Sequence, residues 1–280
     1  MWFLIVPFLL FWFVFNVLSV IFSIWLVISS GKISDSISFI LKDNLFWVSL
    51  KNSFFYCIIV IPLQLFSFLL AFAIYRISSF SVLLASLFRV VFYLPVVVPI
   101  ASIGFVFKIM FNDEGVVNDF ILKYFGFKIP FLSNYYYSML VAFLLTLWKG
   151  LGYYIVIYLS GFYSISREIV ENSVLDGMNF LQRLWYIYFP LLKGTFYFSS
   201  FLSTLAALKV FAEIYIVTEG GPGTSTYTMM MYIYSQAFYN LNLNNAIIAS
   251  FILSFILIFL SIFIFKKQLE NIRLWFFSII

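Results

Sequence analysis

Three charged side chains fall inside long apolar segments, where an ion needs a partner or water. Lys149 lies in the segment 135–159, and Lys209 and Glu213 lie in the segment 195–217. A charge at the centre of a bilayer costs about 2.5–3.5 kcal/mol on insertion scales. On one helix, Lys209 and Glu213 would share a face and could pair with each other. Lys149 has no such neighbour, so we expect it either to face a cavity or to pair with another segment.

The composition excludes most covalent chemistry. The 280 residues contain no histidine and one cysteine, Cys57, which excludes a Ser-His-Asp triad, a histidine-based zinc site and an intrachain disulfide. No G-x-x-x-x-G-K-[ST] loop occurs, so any ATP that the protein uses must be bound by a partner. No basic cluster is dense enough to follow nucleic-acid phosphates. We therefore expect no cofactor or metal in this chain and no nucleic-acid partner.

The apolar segments predict an all-α polytopic membrane protein with six transmembrane helices in a single domain, residues 1–280. Hydrophobic residues make up 64% of the chain and charged residues 10%, and about 20 apolar residues suffice to cross a bilayer. The first segment is too long for a signal-peptide core and lacks its basic flank, so we expect it to be retained. The predicted spans are about 4–28, 52–75, 88–110, 135–159, 195–217 and 246–265, and Lys266 and Lys267 end the last.

Two polar intervals between the spans, 29–50 and 112–134, are expected to be solvent-facing loops. Pro95 and Pro99 interrupt the third span, and a proline in a membrane helix frees backbone carbonyls and bends the helix. Either a structural kink or a hinge lining a pathway would explain the two prolines.

The distribution of basic residues predicts the orientation. Six spans place both termini on one side, and the side with more Lys and Arg in its short loops is normally cytoplasmic. The side of residues 160–194 holds eight, against five on the other side: Arg76, Arg89, Arg167, Arg183, Lys193, Lys266, Lys267 and Arg273 against Lys32, Lys42, Lys51, Lys123 and Lys128. Both termini and residues 160–194 are therefore expected in the cytoplasm.

The charged interval between the fourth and fifth spans predicts a surface for another protein. Ser166 could cap a short helix that ends at Gly177, the residue type that most readily takes a left-handed C-cap. A second helix could run from Asn179 until Pro190 stops it. Two short helices at an angle, below the membrane, would form a knob that fits a groove on a partner.

A series of motifs along the chain resembles the permease subunits of binding-protein-dependent ABC importers of the sugar and glycerol-3-phosphate branch. The spacing E-N-S-x3-G-x9-I-x-F-P in the interval resembles their EAA loop. The further matches are FRVVFYLPVVVP at 88–99, FNDEGVVND at 111–119, WKGLGYY at 148–154, IVTEGGPGTST at 216–226 and YIYSQAF at 232–238. The resemblance implies the type I importer permease fold and an interval, here called the coupling loop (about 160–194), that docks on a cytoplasmic ATPase.

The resemblance and the charges inside the predicted spans together nominate residues, and the positions that match the loop pattern are Glu171, Gly177, Ile187 and Pro190. Asn172, Ser173 and Phe189 depart from the alanines and leucine usual in the family, and we nominate Ser173 as the first contact to crosslink. The docking set is Glu171, Asn172, Ser173, Asp176, Gly177, Ile187 and Pro190. The residues expected on the solute path or at the binding-protein contact are Lys149, Lys209, Glu213, Gly220, Gly221 and Pro222.

The implied assembly contains a second non-identical permease, two ATPase subunits carrying ATP and Mg²⁺, and an extracytoplasmic solute-binding protein. This chain would then be a non-catalytic permease in a bacterial-type cytoplasmic membrane, surrounded by lipid, and its solute would be a sugar, a related polyol or a glycerol phosphate. Two alternatives are a self-contained ion-coupled secondary transporter, for which only Glu213 offers a coupling carboxylate, and a membrane-embedded enzyme.

Overall fold

The computed structural model describes the backbone of residues 2–277 and the side chains of residues 6–262. Regular structure in the described backbone is helical, because lipid offers no partner for peptide groups and a helix satisfies them within one segment. The α-helices are α1 Trp2–Trp12, α2 Ser19–Ser29, α3 Ile33–Lys42, α4 Asn44–Tyr56, α5 Val60–Ser78, α6 Val82–Val97, α7 Ile100–Met110, α8 Val116–Phe125, α9 Tyr135–Ser164, α10 Arg167–Leu175, α11 Phe180–Arg183, α12 Phe189–Leu191, α13 Lys193–Leu208, α14 Ala212–Val217, α15 Met229–Tyr234 and α16 Leu243–Phe277.

Within the described residues, four helical stretches are long and apolar enough to cross a membrane, and two bent pairs raise the number to as many as six. The four stretches are Val6–Ser29, Asn44–Ser78, Tyr135–Ser164 and Leu243–Ile262. The bent pairs are Val82–Val97 with Ile100–Met110, at 90°, and Phe180–Leu191 with Lys193–Leu208, at 70°. The last helix continues past the predicted stop, but the side chains of Lys266, Lys267 and Arg273 lie outside the described residues.

Both intervals predicted as loops contain helices. The interval 29–50 holds α3 and the first half of α4, and the Asp43 carboxylate caps α4 by accepting a hydrogen bond from the Leu45 amide at 2.9 Å. The second span therefore starts at Asn44 instead of residue 52. The interval 112–134 holds α8, which Gly126 ends in a left-handed conformation. Asp35 and Asp119 lie on these short helices and Asp43 is a cap, whereas Asp113, Glu114 and Lys128 lie in the turns and coil between helices.

The third span bends at Pro99. Val98, the residue before this proline, is extended (φ −70°, ψ 135°), and α7 starts immediately afterwards. Pro99 cannot donate a backbone hydrogen bond and restricts the residue before it, which explains the 90° break. Pro95 lies inside α6. The bend expected from the two prolines is thus present, and it is centred on the second.

The fifth predicted span, 195–217, is wrong as one continuous helix. α13 ends at Leu208, Phe211 leaves helical geometry (φ −138°, ψ −61°) and α14 begins at Ala212. The Val210 carbonyl, freed from the helix, accepts a hydrogen bond from the Thr228 hydroxyl at 2.8 Å. The helix break removes the shared face on which Lys209 and Glu213 were expected to pair. The ion pair recorded among the described side chains joins Lys108 and Glu219 instead.

A buried polar network joins α5, α9 and α13 inside the apolar core. The Gln64 amide donates to the Ser203 hydroxyl at 2.9 Å and accepts from the Tyr158 hydroxyl at 2.7 Å, and Ser199 donates to Tyr158 at 2.7 Å. All four side chains are buried. Because each of these side chains hydrogen-bonds to another member on a different helix, the network fixes the relative positions of the three helices.

Replacement of Gln64 by alanine should therefore destabilise the protein. The change leaves the Tyr158 and Ser203 hydroxyls with fewer partners in the core, at a cost of about 1–3 kcal/mol. The thermal unfolding midpoint in detergent should fall measurably. Ser254→Ala is the matched control, since Ser254 is exposed and bonds only one turn back along α16; equal midpoints for the two variants would contradict the role of the network.

Candidate transport cavity and coupling surface

A cavity of about 420 Å³ lies between α5, α9, α13 and the broken end of α6. Its wall combines apolar side chains with hydroxyls and two opposite charges. The lining residues are Tyr56, Ile59, Leu63, Val96, Thr146, Lys149, Gly150, Tyr153, Tyr154, Leu202, Ser203, Ala206, Ala207, Val210 and Glu213. A concave, mostly apolar site with a few convergent polar groups is the usual form of a small-molecule site.

Lys149 binds the backbone carbonyls at the break between α6 and α7. Its ammonium group donates to the carbonyl oxygens of Pro95, Val96 and Val98 at 3.3, 3.2 and 2.6 Å. These carbonyls lack helical partners because α6 ends here and Pro99 has no N–H. Lys149 therefore lines a cavity and is also paired with another span, through that span's backbone.

Glu213 reaches the same cavity because the helix breaks before it. The half-buried carboxylate at the start of α14 lines the same wall as Lys149 and forms no direct ion pair with it. Lys209 is exposed at the end of α13 and does not line this cavity. Of the three charges singled out from the sequence, the structure thus brings two together.

Hydroxyl groups complete the wall, and the sequence analysis did not single them out. The Tyr56 hydroxyl donates to the Ala142 carbonyl at 3.0 Å and lies 2.6 Å from the Thr146 hydroxyl. Tyr153 stands edge-on to Tyr154, with ring centroids 5.1 Å apart. The WKGLGYY motif, which contains Tyr153 and Tyr154, was the sequence signal that could have identified these two tyrosines. Abundant aromatic residues elsewhere in the chain masked their significance.

Gly152, in the same motif, permits the close crossing of α9 and α6. A Cβ atom at this position would collide with the Phe92 carbonyl oxygen. The close approach brings Lys149, one turn earlier on α9, within reach of the carbonyls at the end of α6. The glycine therefore positions the lysine cap.

The segment TEGGPGTST, residues 218–226, is a turn fixed by side chains from two other helices. Asn52 donates to the Ser225 and Tyr227 carbonyls at 2.6 and 2.8 Å, and Glu219 pairs with Lys108 on α7. Gly220 is buried with φ +84° against the ring of Tyr227, so its role is structural. Gly221 is half-buried next to this glycine in the same turn.

An open cleft of about 470 Å³ borders the same turn. Pro222 lies in its wall together with Lys51 and Tyr135. Gly221 and Pro222 are both half-buried. Pro222 is thus accessible from this cleft, whereas Gly220 is inside.

The coupling loop contains two helices, but the second, Phe180–Leu191, includes Pro190, which was expected to stop it. α10 begins after Ser166, whose side chain makes no capping bond, and ends at Leu175; Gly177 follows the C-cap residue Asp176 with φ +74°. The Met178 amide donates to the Ser173 carbonyl at 3.1 Å and the Gly177 amide to the Val174 carbonyl at 3.0 Å, the pattern of a Schellman motif. Asn179 then starts the second helix with a reciprocal capping box to Gln182.

Aromatic packing holds the second helix of the coupling loop on α5 and α9. The buried ring of Tyr188 lies 5.1 Å from Phe72 and 5.7 Å from Phe162 between ring centroids. Phe180 stacks 4.9 Å from Phe72 and lies under the Arg76 guanidinium. The coupling loop is therefore attached to the ends of the helices that form the cavity.

The docking residues divide into exposed and buried groups. Glu171, Asn172, Asp176, Gly177 and Pro190 are exposed, and Ile187 is half-buried. Ser173, nominated for crosslinking, is only 3% exposed and donates to the Val170 carbonyl at 2.6 Å. That nomination is corrected, because Ser173 faces the interior side of α10. The outward apolar side chains are Val174, Leu175, Leu181, Trp185 and Tyr186.

Bent spans around a partly polar cavity, joined to an exposed two-helix loop, define a membrane permease of the type I importer fold. The chain belongs to the family described as binding-protein-dependent transport system inner membrane component, which matches residues 65–271. The resemblance drawn from the motif order is thus confirmed. The chain is a multi-pass membrane permease, a non-catalytic subunit that operates with a binding protein, which replaces both alternative functions.

Individual relatives agree with this membership. The lactose transport system permease protein LacF of Rhizobium radiobacter is 30% identical over 201 residues, 70% of this chain and 67% of LacF. The sn-glycerol-3-phosphate permease UgpA of Rhizobium meliloti (strain 1021) is 30% identical over 167 residues, covering 59% of this chain and 57% of UgpA. A solved bacterial alginate ABC transporter, in complex with a periplasmic protein carrying alginate pentasaccharide, has a similar chain: TM-score 0.84, 19% identity, 94% of this chain and 92% of that one.

The left-handed Gly177 yields a test of the coupling loop that needs no partner. Gly177→Ala forces a Cβ into φ +74°, at a cost of about 1–2 kcal/mol, so trypsin cleavage at Arg183 should accelerate about 5- to 30-fold if cleavage follows local opening. Gly194→Ala is the control, because Gly194 lies in α13 with open space around it and no positive φ. Equal cleavage rates for the two variants would refute the capping role.

Proposed function

We propose that this chain forms the solute path of an ATP-driven importer for a sugar or a related hydroxyl-rich compound, including polyols and glycerol phosphates. The cavity carries this proposal, because it joins Tyr56, Thr146, Tyr153 and two opposite charges at the broken ends of two spans. Phenol and hydroxyl groups hydrogen-bond solute hydroxyls, and exposed rings stack on sugars. Relatives named for lactose, sulfoquinovosyl glycerol and arabinooligosaccharides support this solute class.

The charges in the cavity favour an uncharged solute over a strongly anionic one. The Lys149 ammonium is already satisfied by three carbonyls, and the Glu213 carboxylate beside it would repel an anion. A neutral sugar needs no free cation from Lys149 and is not repelled by the Glu213 carboxylate. A glycerol phosphate would need the phosphate to lie on the Lys149 side of the cavity.

In the proposed assembly this chain operates with four further proteins: one permease, two ATPase subunits and one binding protein. A second, non-identical permease would close the open side of the cavity, two ATPase subunits would bind ATP and Mg²⁺ and receive the coupling loops, and an extracytoplasmic binding protein would deliver the solute near Pro222. The excess of Lys and Arg on the coupling-loop side favours a cytoplasmic location for both termini. Closure of the ATPases would then reverse the balance between two packings of the spans.

Replacement of Lys149 by methionine tests the cavity. The variant leaves three carbonyls uncapped next to the solute, so uptake of a labelled sugar by proteoliposomes containing the whole transporter should fall at least ten-fold, and Lys149→Arg should retain part of it. Lys209→Met is the matched control, since this lysine is exposed and outside the cavity. Unchanged uptake and assembly with Lys149→Met would refute the assignment.

Crosslinking tests the coupling surface. In a Cys57→Ser background, a cysteine at Leu175, which is 84% exposed, should crosslink to a cysteine in the cleft of the ATPase, whereas a cysteine at the buried Ser173 should not. The Ser173→Cys variant is isosteric and should fold normally, so a difference in crosslinking between positions 173 and 175 reports which side of α10 faces the ATPase. Crosslinking from residue 173 but not from residue 175 would show that the opposite face of α10 docks. Failure to co-purify any ATPase would overturn the proposed function itself.

A further inference from the structure

A second groove, of about 510 Å³, lies on the coupling-loop side of the cavity. It runs between α6 and α9, and its lining residues are Arg89, Val90, Tyr93, Leu94, Val97 and Val156. On α6, Val96 lines the cavity and Val97 the groove, and on α9, Tyr153 lines the cavity and Val156 the groove. The two spaces are therefore adjacent on both helices.

The same face of α9 lines the cavity and the groove. At about 100° per residue, Tyr153, Val156, Ser160 and Tyr163 all point within about 40° of the direction of Lys149. Each of these four is exposed. The stripe extends from Lys149 to Tyr163, a rise of about 21 Å at 1.5 Å per residue. A continuous exposed face of this length leads from the cavity to the end of α9 where the coupling loop begins.

Arg89 stands at the coupling-loop end of the stripe. Its guanidinium donates to the Tyr163 hydroxyl at 2.8 Å and lies 5.4 Å from the centroid of that ring. No acidic partner is recorded for it among the described side chains. The Nε atom is buried without a hydrogen-bond partner. The side chain is thus held in place by a phenol, while its positive charge is not neutralised.

We propose that this groove is the exit of the solute path, and that Arg89, positioned by Tyr163, is a cationic contact for the hydroxyl groups of a departing solute. A guanidinium presents several N–H donors in one plane, which suits oxygen-rich molecules. The inference rests on the proposed function, since a path needs a solute to carry. The inference places the end of the solute path at the coupling loop, next to the helices that ATP-driven motion would displace.

Thiol labelling of the whole transporter in nanodiscs tests the exit. In a Cys57→Ser background, cysteines at Val156 and Ser160 are treated with water-soluble methanethiosulfonates, one carrying sulfonate and one carrying trimethylammonium. Leu69→Cys on α5 is the matched control, since Leu69 is similarly exposed and lies nine residues from the end of its helix, against eight for Val156. The two path positions should react at least ten-fold faster than the control.

The charge of Arg89 is tested by comparing the two reagents at Ser160→Cys. A local positive charge raises the concentration of anions nearby, so Arg89→Gln should lower the sulfonate-to-trimethylammonium rate ratio at least three-fold, and Arg89→Lys should preserve it. Slow reaction at both path positions, equal to Leu69→Cys, would show that lipid or the second permease covers the groove and would overturn the exit. An unchanged ratio with Arg89→Gln would overturn the role of Arg89.

Sugar uptake and ATPase co-purification are measured on the same preparations, so the two proposals fail separately. A transporter that assembles and takes up sugar but does not label at Val156 or Ser160 refutes the exit alone. A chain that assembles with no ATPase refutes the proposed function, whatever its labelling pattern.

Discussion

The satisfaction of backbone carbonyls at broken membrane helices is the constraint on which the rest of this structure depends. An intact helix meets the requirement internally, but helical structure stops inside the third and fifth spans predicted from the sequence, after Val97 and after Leu208. At the first break the Lys149 ammonium donates to the freed carbonyls, including that of Val98. At the second break the Thr228 hydroxyl donates to the Val210 carbonyl. Each break is possible because a side chain from elsewhere supplies what the helix lost.

The breaks create the cavity. An unbroken fifth span would keep Glu213 on the helix of Lys209, whereas the break starts a new helix that turns the carboxylate toward Lys149. The short helices beyond the breaks pack closely on each other, with Gly104 of α7 against Ile216 of α14. Polar groups are thus gathered where backbone is irregular and lines a space, the one place in a membrane where such backbone is tolerated.

Much of this arrangement follows from sequence, and the exceptions share a physical cause. Pro99 and Gly177 act locally, through a missing N–H and a left-handed conformation, so the bend and the end of α10 were predictable. The break after Leu208 has no proline or glycine to mark it, and the Val210 carbonyl at this break is satisfied by Thr228, eighteen residues beyond Val210. The inward orientation of Ser173 likewise depends on which side of α10 faces the core, and the spacing of the loop motif does not specify that.

The distribution of rigid and adjustable contacts suggests how motion at one end reaches the other. Tyr188 of the coupling loop packs on Phe72 and Phe162, and the Gln64 network ties the same two helices, α5 and α9, to α13. A displacement of the coupling loop would therefore move α5, α9 and α13 together. The Lys149 cap is different, since three carbonyls share one ammonium on a flexible stem. The ammonium can follow small movements of these carbonyls, so this contact tolerates a small change of angle between α9 and the broken end of α6 better than the Gln64 network would.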